Sequence, residues 1–335
     1  MVAITESRRV VLARRPHGNP VREDFAIEKV AVPAVGEGEV LLATRWISVD
    51  PLIAIFISEA PLGGAMPPLP VGALIPGSAV SEVLASRHSA FTPGDFVEGR
   101  SGWQEHAVVP AARIRKIDPS LQPEALGILG LAGFTAWCGL KLAGDIAGKT
   151  ILISGASGAV GSIAGQLANL RGAKVIGIAG SAEKCKHLTE TQGFESVINR
   201  DDGAVASALS ALTNGVDVYF DNVGGELFYQ VLPHMKRHGI ILICGLMAQY
   251  AQKSGEQPTV DILTEIMAKG LSVLGFSNTD FMQDFEQFQT EVAAAYRNQQ
   301  IKYDQNILTG LAGTIEHMSR MFSGNETGKR LVVID

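Results

Sequence analysis

The sequence predicts an α/β protein: a six-stranded, doubly wound parallel sheet with a second, discontinuous β-rich domain. Three observations predict it. Apolar β-branched residues at 150–154 stop at a glycine-spaced turn, Gly155, Gly158 and Gly161, from which a helical pattern starts. Strand-like and helical runs then alternate to about residue 300. Before residue 123 the pattern differs, with short strand-like runs set between Pro and Gly turns.

In chain order, the first strand-like runs are Val40–Ala43, Ala79–Leu84, Phe96–Glu98 and Ala107–Val109. Turn residues such as Pro33, Gly36, Gly38, Pro70, Gly72, Pro76 and Gly77 separate them, and Pro93-Gly94-Asp95 is a strong turn signal. A helix is expected over Ala125–Leu142. Six strands should follow: Thr150–Ser154, Lys174–Ala179, Ser196–Ile198, Val216–Asp221, Gly239–Cys244 and Leu271–Gly275. The closing run, Lys329 to Ile334, has no place in that sheet and is assigned back to the first domain. Residues 1–123 and 301–335 thus form one domain, and 124–300 the other.

Composition narrows the function. A chain of 335 residues with 46% hydrophobic and 6% aromatic content suits one or two tightly packed α/β domains. A net charge of −6 leaves no polyanion footprint, so nucleic acid is not an expected partner. Met1 to Glu6 lacks the apolar core of a signal peptide. Gly127–Leu140 is too short and glycine-broken for a membrane span. Cys138, Cys185 and Cys244 are odd in number and scattered, which suits a reducing compartment; a cytoplasmic location without membrane partners is expected.

The glycine turn carries the chemistry. A strand, a tight turn and a helix N-terminus present unpaired backbone N–H groups with no side chains in the way, a cradle for a pyrophosphate. Gly155, Ser157, Gly158, Ala159, Val160 and Gly161 would form it. The spacing alone also suits any tight strand–helix turn. Its position between a buried-strand run and an amphipathic pattern (Val160, Ile163, Ala164, Leu167) selects the dinucleotide reading.

The end of the second strand decides which dinucleotide. NAD sites place an acid there for the ribose hydroxyls. Here the chain reads Ile178-Ala179-Gly180-Ser181-Ala182-Glu183-Lys184. No acid stands at the strand end, Gly180 and Ser181 are small, and the Lys184 ammonium would attract a 2′-phosphate. Taken alone, Lys184 also reads as a solvated helix lysine, and Glu183 could swing inward. Arg200, after the third strand, could add a second positive charge. NADP(H) is the expected cofactor.

Ligands of such sheets lie beyond the carboxyl ends of the strands. That places Asn222 with Gly224-Gly225, Gly245 to Tyr250, and Phe276 at the site edge. Tyr250 is the candidate catalytic residue, because a phenol there can donate a hydrogen bond, or a proton, to an oxygen turning negative. A half-buried tyrosine with a solvated hydroxyl is the plainer alternative. The seven histidines form no HxxH or HExxH spacing, so no metal is expected. Ser157 lacks the GxSxG frame of a hydrolase.

Together these residues resemble the zinc-independent medium-chain dehydrogenase/reductases, in their prostaglandin reductase and leukotriene B4 12-hydroxydehydrogenase group. The likeness runs nearly end to end. It rests on Ser48-Val49-Asp50-Pro51, Gly102-Trp103-Gln104-Glu105, Gly130 to Ala136, Ser157 to Gly161, Ala179 to Cys185, Val218 to Gly225, and Cys244-Gly245 through Gln249-Tyr250. The resemblance implies a Rossmann sheet, a GroES-like substrate-side domain, and NADPH-dependent reduction of the C=C bond of α,β-unsaturated ketones and aldehydes.

By the same resemblance Lys184 binds the 2′-phosphate and Tyr250 lies by the nicotinamide ribose and substrate. Asn222 and Asn325 match cofactor-proximal asparagines of the group. Cys244, Gly245 and Phe276, at the strand ends, are further cofactor-binding candidates, and Asp50 and Leu52 are the substrate-pocket candidates. Zinc-dependent relatives carry a cysteine where this chain has Ile47 and a histidine where it has Gly77. Leu52-Ile53-Ala54, Ser81 and His106 depart from the group's usual residues and bear on substrate identity. A quinone reductase and a non-catalytic NADPH-binding partner are the rival readings. An apolar sixth strand at the sheet edge also points to a homodimer, which the resemblance implies too. A segment at Gln252–Pro258 could close over substrate.

Overall fold

A computed structural model describes residues 4–59, 61–64, 66–203, 205–212, 214–250 and 262–334. The expected closing segment, Gln252–Pro258, lies outside them. The chain divides into two compact units. One comprises Met1–Gly127, Gln305–Glu326 and Arg330–Asp335, the other Ile128–Asp304 and Thr327–Lys329.

The first unit begins with β1 (Glu6–Leu12) and β2 (Phe25–Ala31), an antiparallel pair. It continues with β3 (Glu39–Ser48), the short helix α1 (Leu52–Ile57), β4 (Ala79–Ser86), β5 (Phe96–Gly99), β6 (His106–Pro110) and β7 (Ile114–Lys116). Alternation along β3 turns Val40 and Leu42 inward, where they meet Val83, Phe91, Val97 and Ala111.

The second unit carries α2 (Leu131–Leu142), β8 (Thr150–Ile153), α3 (Ala159–Leu170), β9 (Lys174–Ala179), α4 (Ala182–Gln192), β10 (Ser196–Asn199) and α5 (Val205–Ser210). Next come β11 (Val216–Asp221), α6 (Gly225–Val231), β12 (Met235–Ile243), α7 (Ile262–Lys269), β13 (Ser272–Gly275) and α8 (Phe285–Arg297). Its six parallel strands run in the order β10-β9-β8-β11-β12-β13. The winding reverses between β8 and β11, which places the ligand-binding edge at their carboxyl ends. Ile163, Ala164 and Leu167 of α3 are buried, as their spacing requires.

The chain then supplies β14 (Gln305–Thr309), α9 (Leu311–Ser319) and β15 (Lys329–Val333). β15 pairs antiparallel with β3, so the closing strand joins the β-rich sheet, whose order is β14-β15-β3-β4-β5-β7 with β6 also on β3. Among the described residues, no helix is long and apolar enough to cross a membrane.

Some expectations need correction. The helix expected from Ala125 is broken. A 3-10 turn covers Glu124–Leu126, and α2 starts only after Gly130. Gly127 and Gly130 leave helical geometry there, and the intervening chain folds onto the first turn of α2. β12 starts at Met235, four residues before the expected Gly239; polar Lys236, Arg237 and His238 hide that part of the strand. The pair β1–β2 and the strands β7 and β14 were not expected.

The close approach at α2 is testable. A Cβ at Gly133 would stand 1.8 Å from the Ile128 carbonyl oxygen. Gly133→Ala should therefore destabilise the protein by about 1–3 kcal/mol, read as a lower midpoint in chemical unfolding; an unchanged midpoint would contradict this packing.

Candidate cofactor and active site

At the end of β8 the chain turns sharply. Gly155 has φ +57, a left-handed conformation natural to glycine. The Gly158 N–H donates to the Gly155 carbonyl at 3.0 Å, and the Ser162 N–H then donates to Gly158 at 3.0 Å as α3 begins. A Cβ at Gly161 would lie 2.4 Å from the Gly155 oxygen and 3.0 Å from the Ala156 Cα. Only glycine lets helix and strand come this close. Ala159 and Val160 lie in the first turn of α3, whose leading N–H groups have no acceptor within the helix. The Ser157 carbonyl accepts from Gly328 N–H at 2.9 Å, which pins residues 327–329 to this turn.

Beyond β9 and β10 stand the residues expected to hold the phosphate, and two of them, Gly180 and Arg200, are in contact. A Cβ at Gly180 would meet Arg200 Nη2 at 2.9 Å, so the guanidinium lies directly against this glycine. Ser181 caps α4, its side chain accepting from the Lys184 N–H at 3.2 Å. Lys184 is only 8% exposed, unlike a solvated helix lysine, whereas Glu183 is exposed. Arg200 pairs with Asp201 at 3.2 Å.

The ends of β11 and β12 form the other half. Asn222 donates through its N–H to Ser154 Oγ at 2.9 Å and through Nδ2 to the Ser154 carbonyl at 2.8 Å. The N–H groups of Cys244 and Gly245 donate to the Asp221 carbonyl at 2.9 and 3.1 Å. A Cβ at Gly245 would stand 3.1 Å from the Asn222 carbonyl and 3.3 Å from the Tyr250 hydroxyl. Asn222, Gly245 and Tyr250 are thus neighbours. Burial holds the Tyr250 phenol above its ordinary value, and the nearby Asp221 charge adds to this. Burial likewise pushes the Cys138 thiol up to about 12 and the Cys244 thiol higher still; both remain thiols at neutral pH. Phe276 is half-buried, its ring edge-to-face with Phe220 at 6.3 Å.

Three expected residues belong to the β-rich unit. Asp50 accepts a hydrogen bond from Ser48 Oγ. Leu52 opens α1 and is exposed. The Asn325 N–H donates to Ser323 Oγ at 3.4 Å. In the same unit Ile47 is fully buried, and a Cβ at Gly77 would meet Trp103 Nε1 at 2.7 Å. An indole occupies the space a ligating side chain at 77 would need.

Sequence reasoning missed the anchor beneath this site. Asp221 is fully buried, and its Oδ1 accepts from Ser154 Oγ at 2.7 Å, the Tyr219 hydroxyl at 2.9 Å, and the N–H groups of Val223 and Gly224 at 2.9 and 3.0 Å. The period-two placement of Tyr219 and Asp221 on one face of a strand was an available signal.

A glycine cradle at the switch point of a doubly wound sheet, in a chain with a separate β-rich unit, defines a dinucleotide-dependent oxidoreductase. Comparison with known proteins agrees. A family described as the N-terminal domain of oxidoreductase matches residues 8–117, and one described as zinc-binding dehydrogenase matches residues 159–294. The chain is 34% identical to the NADPH-dependent curcumin reductase of Escherichia coli, over 97% of this chain and 96% of that protein. It is 33% identical to prostaglandin reductase 1 of Bos taurus, over 94% and 95%. The crystal structure of CurA from Vibrio vulnificus in complex with NADPH superposes with a TM-score of 0.93 at 31% identity, covering 98% of this chain and 99% of that one. The chain belongs to the medium-chain dehydrogenase/reductases, in their zinc-independent double-bond reductase group.

Proposed function

We propose that this protein uses NADPH to reduce the carbon–carbon double bond of α,β-unsaturated ketones and aldehydes. The observation that carries the reading is the half-buried Tyr250, its hydroxyl against Gly245 and close to Asn222, on the same sheet edge as the glycine cradle.

The residues present fit the cofactor. The α3 N-terminus with Gly155, Ser157, Gly158, Ala159, Val160 and Gly161 would hold the pyrophosphate. Gly180, Ser181, Lys184 and Arg200 would hold the 2′-phosphate; a Cβ at Gly180 would fill space the Arg200 guanidinium uses. Asn222, Cys244, Gly245 and Phe276 would hold the nicotinamide half, with Asn325 assigned by resemblance to the group. Bound NADPH supplies a hydride for the β-carbon of the enone.

Tyr250 donates its phenolic hydrogen to the substrate oxygen as negative charge gathers there. The enolate so formed then takes a proton at its α-carbon from solvent, or from Tyr250 with solvent reprotonating the phenol, and the carbonyl re-forms. Asp50 and Leu52 remain the substrate-side candidates.

With a simple conjugated enone, NADPH absorbance should fall and a saturated ketone should form. An allylic alcohol would assign carbonyl reduction instead, and faster turnover of menadione would assign a quinone reductase. One oxyanion donor is worth about 3–4 kcal/mol, so Tyr250→Phe should slow turnover about 100-fold. A raised phenol stays neutral and donating to above its ordinary value of 10.0, so turnover should show no Tyr250 ionisation up to that pH. A Tyr250-dependent fall near pH 8 would contradict the assignment.

The protein is further proposed to be a homodimer joined along the β13 edge. β13 ends the sheet, and Val273 on it is exposed. In α7, Ile262 and Ile266 pack on the core, while Leu263 and Met267 are 71% and 79% exposed. An apolar pair four residues apart and facing outward, on the helix that precedes the edge strand, suits a second copy. Replacing Leu263 and Met267 together with Glu should halve the sedimenting mass; an unchanged mass would rule out this surface.

A further inference from the structure

The hydrogen bonds of Asp221 do not require its charge. Oδ1 takes all four donors, and the carbonyl oxygen of an asparagine could accept the same four. What distinguishes the aspartate is its negative charge. Among the described residues its buried Oδ2 has no hydrogen-bond partner, and no cationic side chain pairs with it. Four donors converge on this side chain, an arrangement that suits a negative charge. A buried anion held by hydrogen bonds but not paired with a cation would attract a positive charge arriving nearby.

The surroundings indicate which one. Asp221 ends β11, on the far side of the switch point from Lys184 and Arg200. Its own carbonyl holds the N–H groups of Cys244 and Gly245, Asn222 follows it, and Tyr250 lies beside Gly245. If the cradle and Lys184 take the adenosine half, this half of the edge takes the nicotinamide. The nicotinamide ring is uncharged when reduced and cationic when oxidised.

We propose that Asp221 is a buried counter-charge that favours the oxidised over the reduced cofactor, and so favours departure of the hydride. The inference deepens the cofactor assignment above and rests on it. Asp221 acts across a low-dielectric interior, where a unit charge is weakly screened. It is a positioning residue, since its hydrogen bonds also fix the loops bearing Asn222 and Gly245. Its charge further helps to keep the Tyr250 phenol protonated.

Equilibrium binding of NADP+, NADPH and adenosine 2′,5′-bisphosphate to the wild type and Asp221→Asn separates charge from structure. The variant should weaken NADP+ about tenfold more than NADPH, with bisphosphate affinity unchanged. Equal weakening of both forms, or an unchanged ratio, would overturn the proposal. Tyr219→Phe keeps the charge but removes one donor to it, so the ratio should move a few-fold the other way, toward NADP+. This second variant decides the matter if Asp221→Asn does not fold; an unchanged ratio there also overturns the proposal. Failure of the wild type to bind the bisphosphate is a distinct outcome, which removes the cofactor assignment and this inference with it.

Discussion

The approach of α3 to the turn after β8 is the constraint on which the rest of the site depends. With a Cβ at Gly161 only 2.4 Å from the Gly155 oxygen, any larger residue would push the helix off the sheet edge. The helix N-terminus would then no longer face the line of strand ends where Gly180, Asn222 and Gly245 stand. Residues 327–329 depend on the same turn, since Gly328 donates to the Ser157 carbonyl.

Along that edge the charges are arranged with a polarity. At the ends of β9 and β10 stand Lys184 and Arg200, the guanidinium lying against Gly180. At the end of β11 lies the buried Asp221 carboxylate, and past β12 a phenol held neutral by burial. A ligand with an anionic group at one end and a ring of variable positive charge at the other complements this polarity. The acids beside Arg200, Asp201 and Asp202, are exposed and partly offset its charge, which leaves the more buried Lys184 as the stronger anchor.

Much of this was legible in the sequence because it is local. The βαβ unit around Gly155–Gly161 is continuous, and its burial follows the period of the helix at Ile163, Ala164 and Leu167. All six strands of the sheet lie where apolar runs put them, within a few residues. The failures have physical reasons. Gly127 and Gly130 sit in a stretch whose hydrophobicity looks helical, yet the chain must fold over Gly133 before the helix can start. The polar start of β12 hid a strand that its parallel neighbours stabilise. The Asp221 anchor was hidden because Ser154 lies 67 residues away, on a neighbouring strand that only the sheet brings close. The contact between Gly328 and Ser157 is longer in range still and left no local signal.

The measurement that tests the account most directly is the affinity of NADPH and NADH for the wild type and Lys184→Ala. The two cofactors differ only in the 2′-phosphate, so the comparison isolates the end of β9. The account predicts tighter NADPH binding by the wild type and loss of most of that preference in the variant, with NADH little changed. Equal affinities in the wild type, or equal losses in the variant, would contradict it.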